Sequence, residues 1–67
     1  MQARLVNQAG VYMLDLDTDT PPQSLEHGGM RYRLLGYDDP AWSGAYAIYA
    51  HDTVDNERAI QKATAHP

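Results

Sequence analysis

Cysteine is absent from the 67-residue chain, and so is phenylalanine. The first absence excludes disulfides and thiolate metal sites, the staples on which many domains of this size rely. Lysine occurs once, at Lys62, and tryptophan once, at Trp42. A phosphate-binding surface needs clustered Lys and Arg. Five basic residues against nine acidic ones, for a formal charge of −4, argue against direct contact with nucleic acid. A basic partner surface is the better electrostatic match, and nucleic-acid-binding proteins are common owners of such surfaces. No apolar run is long enough to span a bilayer. The opening residues, Met1-Gln2-Ala3-Arg4-Leu5-Val6, carry neither the apolar stretch nor the small-residue cleavage site of a signal peptide. The expectation is a cytoplasmic protein without membrane contact, encoded by a complete short reading frame and folded as a single domain over residues 1–67.

What the chain does contain must stabilise a small core. A domain of this length hides only ~60% of its unfolded surface. Without cysteine, stability must come from close packing, a carboxylate or histidine metal site, or association. Five tyrosines and Trp42 supply adhesive surface for association, so homo-oligomerisation is one expectation.

Residues 3–7 and 11–17 read as extended runs around Gln8-Ala9-Gly10, a short loop whose glycine suits positive φ. In the second run Tyr12, Leu14 and Leu16 share one face, taken as the core side, while the opposite face begins apolar and ends acidic. Pro21 and Pro22 make 18–23 a loop. Gly28-Gly29, between extended runs at 24–27 and 30–35, predicts a two-residue primed turn. It sets Met30, Tyr32 and Leu34 on one face, with Arg31 and Arg33 on the other, as an exposed positive stripe pairing with acids such as Glu26. Residues 36–44 read as a glycine-bracketed loop and 45–51 as a strand with Tyr46 and Ile48 on one side, Tyr49 and His51 on the other. That strand has no Lys or Pro to block it, so it is the expected free edge of the sheet. Residues 54–65 carry acids at the start (Asp52, Asp55, Glu57) and Lys62 and His66 near the end, as a helix dipole prefers. The fold expected is α+β or mainly β: a small antiparallel sheet of four to five short strands with a short C-terminal helix or tail covering one edge. A small SH3-like or OB-like barrel is the alternative.

Several constellations bear on chemistry. Asp15, Asp17, Asp19 and Glu26 fall at positions 1, 3, 5 and 12 of a segment that resembles a calcium-binding EF-hand loop in spacing. Thr20 stands where the sharp turn needs glycine, Pro22 lacks a donor, and the flanks read as strands rather than helices. An acidic solvated loop is therefore expected, with no cofactor. His27, His51 and His66 have no i, i+4 or HExxH-type spacing for zinc. Ser24 and Ser43 lie outside any nucleophile elbow, there is no Gly-rich phosphate loop, and Asp38-Asp39 before Pro40 is ordinary turn wording. The chain does not read as an enzyme.

The most suggestive segment is Tyr37-Asp38-Asp39-Pro40-Ala41-Trp42, which puts two aromatic residues and two acids on one turn. Tyr and Trp anchor interfaces, and flanking acids select a basic partner. Two readings stand for Trp42: an interface anchor, or a plug for a core that has no Phe. Asp15, Asp17 and Asp19 extend the same negative surface if the two loops share one end of the sheet. A short acidic chain of this kind is similar in general style to accessory proteins of phages and mobile elements. Some of these inhibit host defence complexes such as CRISPR effectors by covering a nucleic-acid-binding surface. The functional expectation is a small acidic protein-binding module with a basic protein partner. The alternatives are a structural, self-associating subunit and, behind it, a metal-binding protein or small enzyme.

Overall fold

A computed structural model describes residues 1–37 and 46–65. Asn7 closes the first turn: its Oδ1 accepts from the Ala9 and Gly10 N–H groups at 2.8 and 3.1 Å. Gly10 takes a φ of 146° there. The result is a hairpin of β1 (Gln2–Asn7) and β2 (Gly10–Asp15). Gly28 and Gly29, at φ 59° and 78°, make the primed turn that joins β3 (Ser24–His27) to β4 (Met30–Tyr37). β5 (Tyr46–His51) then enters between the two hairpins, giving the order β2-β1-β5-β4-β3. A turn after β5 leads to α1 (Asn56–Ala65), whose N-cap is Asp55: its Oδ1 accepts from Arg58 N–H at 2.8 Å.

The whole is a five-stranded mixed sheet curled into a half-barrel with a short C-terminal helix, so the α+β expectation and its barrel-like alternative both describe part of it. Three particulars differ from the sequence reading. The β1–β5 ladder is parallel, while the others are antiparallel. β5 is the central strand rather than an edge, so the strand expected to mediate self-association is already paired on both sides. The helix covers a face, over β1 and β5, instead of an edge. Strand ends also shift: β2 stops at Asp15, and β4 runs on to Tyr37 through a bulge between Leu34 and Gly36. A bulge of this kind sharpens local twist, and here it accompanies the curl.

Both faces of the sheet are buried. On the helix side Val6, Tyr46, Ile48 and Ala50 pack with Val54, Ala59 and Ala63, joined by Val11, Leu35 and Ile60. The apolar stripe of α1 looks poor because its buried members are alanines, and their small size lets the helix backbone approach the sheet. On the concave side Ala3, Leu5, Tyr32, Ala47 and Tyr49 pack with Leu14, Leu16, Leu25 and Leu34. Leu14 and Leu16 thus take the core side expected of them, while Tyr12 at the rim stays 50% exposed.

Two arginines seat the helix. Arg4 donates from Nη1 to the Ala63 carbonyl at 2.7 Å, near the C-terminal end of α1, with its guanidinium 3.9 Å from the Tyr46 ring centre. Arg33 donates to the carbonyls of His51 (3.0 Å) and Val54 (2.8 Å) and to Asn56 Oδ1 (2.6 Å), tying the β5–α1 turn and the helix start to β4. Arg33 is therefore half-buried under the helix connection and does not belong to an exposed stripe. Only Arg31 pairs with Glu26, at 3.1 Å on the open surface.

Tyr49 has a comparable role on the concave side. Its hydroxyl donates to the Pro22 carbonyl at 2.6 Å, and Leu34 N–H donates to Gln23 O at 2.9 Å, so the proline loop is pinned to the core. Burial raises the Tyr49 phenol above its ordinary value of 10.0. The fold therefore favours the neutral phenol. That contribution is fully present below the unfolded value and is lost as pH climbs through the folded one.

Arg33→Ala, which leaves its backbone acceptors without the guanidinium, is expected to lower stability by about 2–3 kcal/mol in urea unfolding, whereas Arg31→Ala changes it by under about 1 kcal/mol. Tyr49→Phe is expected to cost about 1 kcal/mol at neutral pH and to flatten the stability decline above pH 10.0; parallel alkaline declines for the two proteins would remove Tyr49 as its source.

Candidate functional site

The register decides which of the sequence-derived site residues come together. Asp15 opposes Gln2, Gln2 opposes Tyr46, and the neighbouring Ala47 opposes Tyr37. Asp15 and Tyr37 thus stand at the same end of the sheet, three strand spacings apart, or about 14 Å before curvature. Asp17 and Asp19 follow in the segment leaving β2, where Leu16 O and Thr18 O accept from Met1 N at 2.8 and 3.3 Å. Asp15, Asp17, Asp19 and Tyr37 are all exposed, Tyr37 at 42%. Asp38, Asp39 and Trp42 lie outside the described residues, as does His66. Tyr37 shares the concave face with its partner Ala47, while Asp15 shares the helix face with Gln2, so the two project from opposite sides of one rim.

The electrostatics of this end follow from where the cations are. Among the described residues Arg31–Glu26 is the one ion pair. Arg33 is turned inward onto carbonyls. Arg58 and Lys62 sit on α1, where with Gln8, Thr53, Val54 and Asp55 they line an open cleft of about 380 Å³. Arg4 reaches this end on the Asp15 face, with its Nε on Gln2 Oε1 at 3.3 Å, and the Met1 ammonium sits on the Leu16 and Thr18 carbonyls, but among the described residues none of Asp15, Asp17 and Asp19 is in an ion pair.

The EF-hand-like spacing does not assemble into a cage. Asp15 ends β2, Glu26 sits on β3 at the opposite edge of the sheet, and the Glu26 carboxylate already holds Arg31. Among the described residues no group of three or more His, Asp or Glu side chains is disposed to hold a metal ion. No helix among them is long and apolar enough to cross a membrane.

A second cluster, not foreseen from the sequence, lies at the other end of the concave face. The Tyr12 ring sits 4.5 Å from that of His27, bridging the two edge strands β2 and β3. Asn7 Nδ2 donates to the Tyr32 hydroxyl at 3.1 Å, that hydroxyl donates to Met30 Sδ at 3.4 Å, and His51 meets Tyr32 edge-on at 5.9 Å. His51 Nδ1 also lies 2.8 Å from Thr53 Oγ1. The sequence marks His27 and His51 as turn-flanking residues, which they are. What it did not reveal is that curvature brings the outermost strands within reach of one another. This mouth is shallow, and none of its groups is arranged as a nucleophile with a base.

No protein-family model, curated protein or solved structure matches the chain.

Proposed function

We propose that this chain is an acidic protein-binding module. It presents the end of its sheet bearing Asp15, Asp17, Asp19 and Tyr37, continued in sequence by Asp38, Asp39 and Trp42, to a basic surface on a larger macromolecule. The observation that carries the reading is the set of exposed acids at that end, none of them in an ion pair among the described residues. An exposed tyrosine stands on the same rim. Exposed carboxylates outside any ion pair steer a basic partner from a distance, and an aromatic side chain supplies contact area once it arrives. The natural target is a nucleic-acid-binding surface, whose own ligand is likewise anionic. Occupying it would inhibit or modulate the complex that owns it, in the manner of phage or mobile-element accessory proteins.

The test is capture of a partner from the source cells or their phage host, with charge reversal to map the surface. Asp15→Lys/Asp17→Lys/Asp19→Lys and Asp38→Lys/Asp39→Lys are expected to reduce capture by about tenfold or more, and wild-type capture is expected to fall steeply with salt. Retention of the same partner after both reversals and Trp42→Ala would place the interface elsewhere.

A further inference from the structure

The antiparallel β1–β2 ladder shows which backbone groups of β2 have no partner among the described residues. In such a ladder, opposed residues alternate between pairs that exchange both hydrogen bonds and pairs that exchange none. Leu16 N–H donates to Met1 O, and Met1 N donates to Leu16 O, each at 2.8 Å, so Met1 and Leu16 are a bonded pair. Stepping through the register by twos makes Ala3–Leu14, Leu5–Tyr12 and Asn7–Gly10 bonded pairs as well. The N–H and C=O groups of Val11, Met13 and Asp15 therefore point away from β1. β2 is the last strand on that side of the sheet, and α1 lies mainly over β1 and β5.

Exposed edges are usually blunted by Lys, Pro, a bulge or shortness. The other edge strand follows that rule: β3 is four residues long, directly after the Pro21-Pro22 loop, and is topped by the Glu26–Arg31 pair. β2 has six residues, Gly-Val-Tyr-Met-Leu-Asp, with no Lys, no Pro and a regular register throughout. What it does have is charge of one sign. Asp15 ends it and Asp17 and Asp19 follow, all three exposed and in no ion pair among the described residues, while the Met1 ammonium binds the intervening Leu16 and Thr18 carbonyls. Tyr12, half-exposed, stands next to this edge with its ring against His27 of β3.

We infer that β2 is a docking edge for an extended, Lys- or Arg-bearing segment of the partner, which adds to the sheet as a sixth strand. This rests on the protein-binding reading and specifies its geometry. Main-chain bonds to Val11, Met13 and Asp15 supply the pairing, and the acids at its end select basic over acidic segments. A second copy pairing through its own β2 would bring its Asp15, Asp17 and Asp19 to a chain already at −4, so the occupant is a foreign segment.

The probe is a synthetic hexapeptide alternating Lys and Val, with its Glu-Val counterpart as control, added to the intact chain under NMR-detected amide exchange. On saturation with Lys-Val, the Val11, Met13 and Asp15 amides are expected to slow by about tenfold or more, while Tyr12 and Leu14, already bonded to β1, stay unchanged. Glu-Val is expected to give no protection. Met13→Pro, whose missing N–H lies on the open edge, is expected to abolish the effect, and Asp17→Lys, which does not touch the ladder, to weaken it should the proline variant not fold. The inference is overturned by absent protection, by equal protection from Glu-Val, or by a dimer in light scattering that protects the same amides without peptide. A natural partner lost on acid reversal but fully retained by folded Met13→Pro would overturn the edge geometry alone, leaving the acidic-surface reading intact.

Discussion

The structure depends on one strand that must be dry on both sides. Every residue of β5 from Tyr46 to Ala50 is buried, with Tyr46, Ile48 and Ala50 on the helix face and Ala47 and Tyr49 on the concave one. A strand like this cannot sit at an edge or face water. It needs a ladder on each flank, which the two hairpins supply through β1 and β4, and a cover on each face. The concave face is covered by the sheet itself, curling so that Leu14 of β2, Leu16 just beyond it and Leu25 of β3 close over Tyr49 and Tyr32. The opposite face is covered by α1, which approaches closely because Ala59 and Ala63 keep its buried surface thin.

Covering β5 with a thin helix fixes the distribution of charge. A helix anchored by two alanines and one partly buried isoleucine offers little apolar area of its own, and arginine makes up the difference at its ends. Arg33 binds the carbonyls that lead into the helix, and Arg4 binds one near its exit. These are charge-assisted bonds to backbone, stronger than the exposed ion pair that Arg31 makes. In a chain with 5 basic residues, an arginine directed inward is one fewer on the surface, and the rim carrying Asp15, Asp17 and Asp19 keeps its field. The proposed binding surface is in this sense a by-product of how the core is closed.

The local parts of this arrangement were legible in the sequence because short-range chemistry determines them. Gly10 and the Gly28-Gly29 pair set both hairpins, and Asp55 starts the helix. The pairing of β1 with β5 was not legible. The two strands are far apart in sequence, and their ladder is parallel, so no turn encodes it. The lack of Lys and Pro in 45–51, read as an unprotected edge, is equally the signature of a strand buried on both faces. The reading of Arg31 and Arg33 failed for a related reason. Period-2 alternation puts both opposite the concave core, and only a sheet with two buried faces separates one that is exposed from one that is covered. At the site, the acids were visible as exposed residues, but their gathering with Tyr37 at one rim depends on register. The Tyr12–His27 contact depends on curvature, which no single strand records.

The central claim is that Asp15, Asp17 and Asp19 are exposed and in no ion pair among the described residues, on a fold whose Arg4 and Arg33 bind carbonyls instead. The most direct measurement is the thermal unfolding midpoint as ionic strength rises from about 0.01 M to about 0.15 M, which shortens the screening length from about 30 Å to about 8 Å. Screening a surface of repelling acids stabilises the folded chain, so Tm is predicted to rise. A Tm that falls would mean that these carboxylates are held by favourable ion pairs, and would contradict the account.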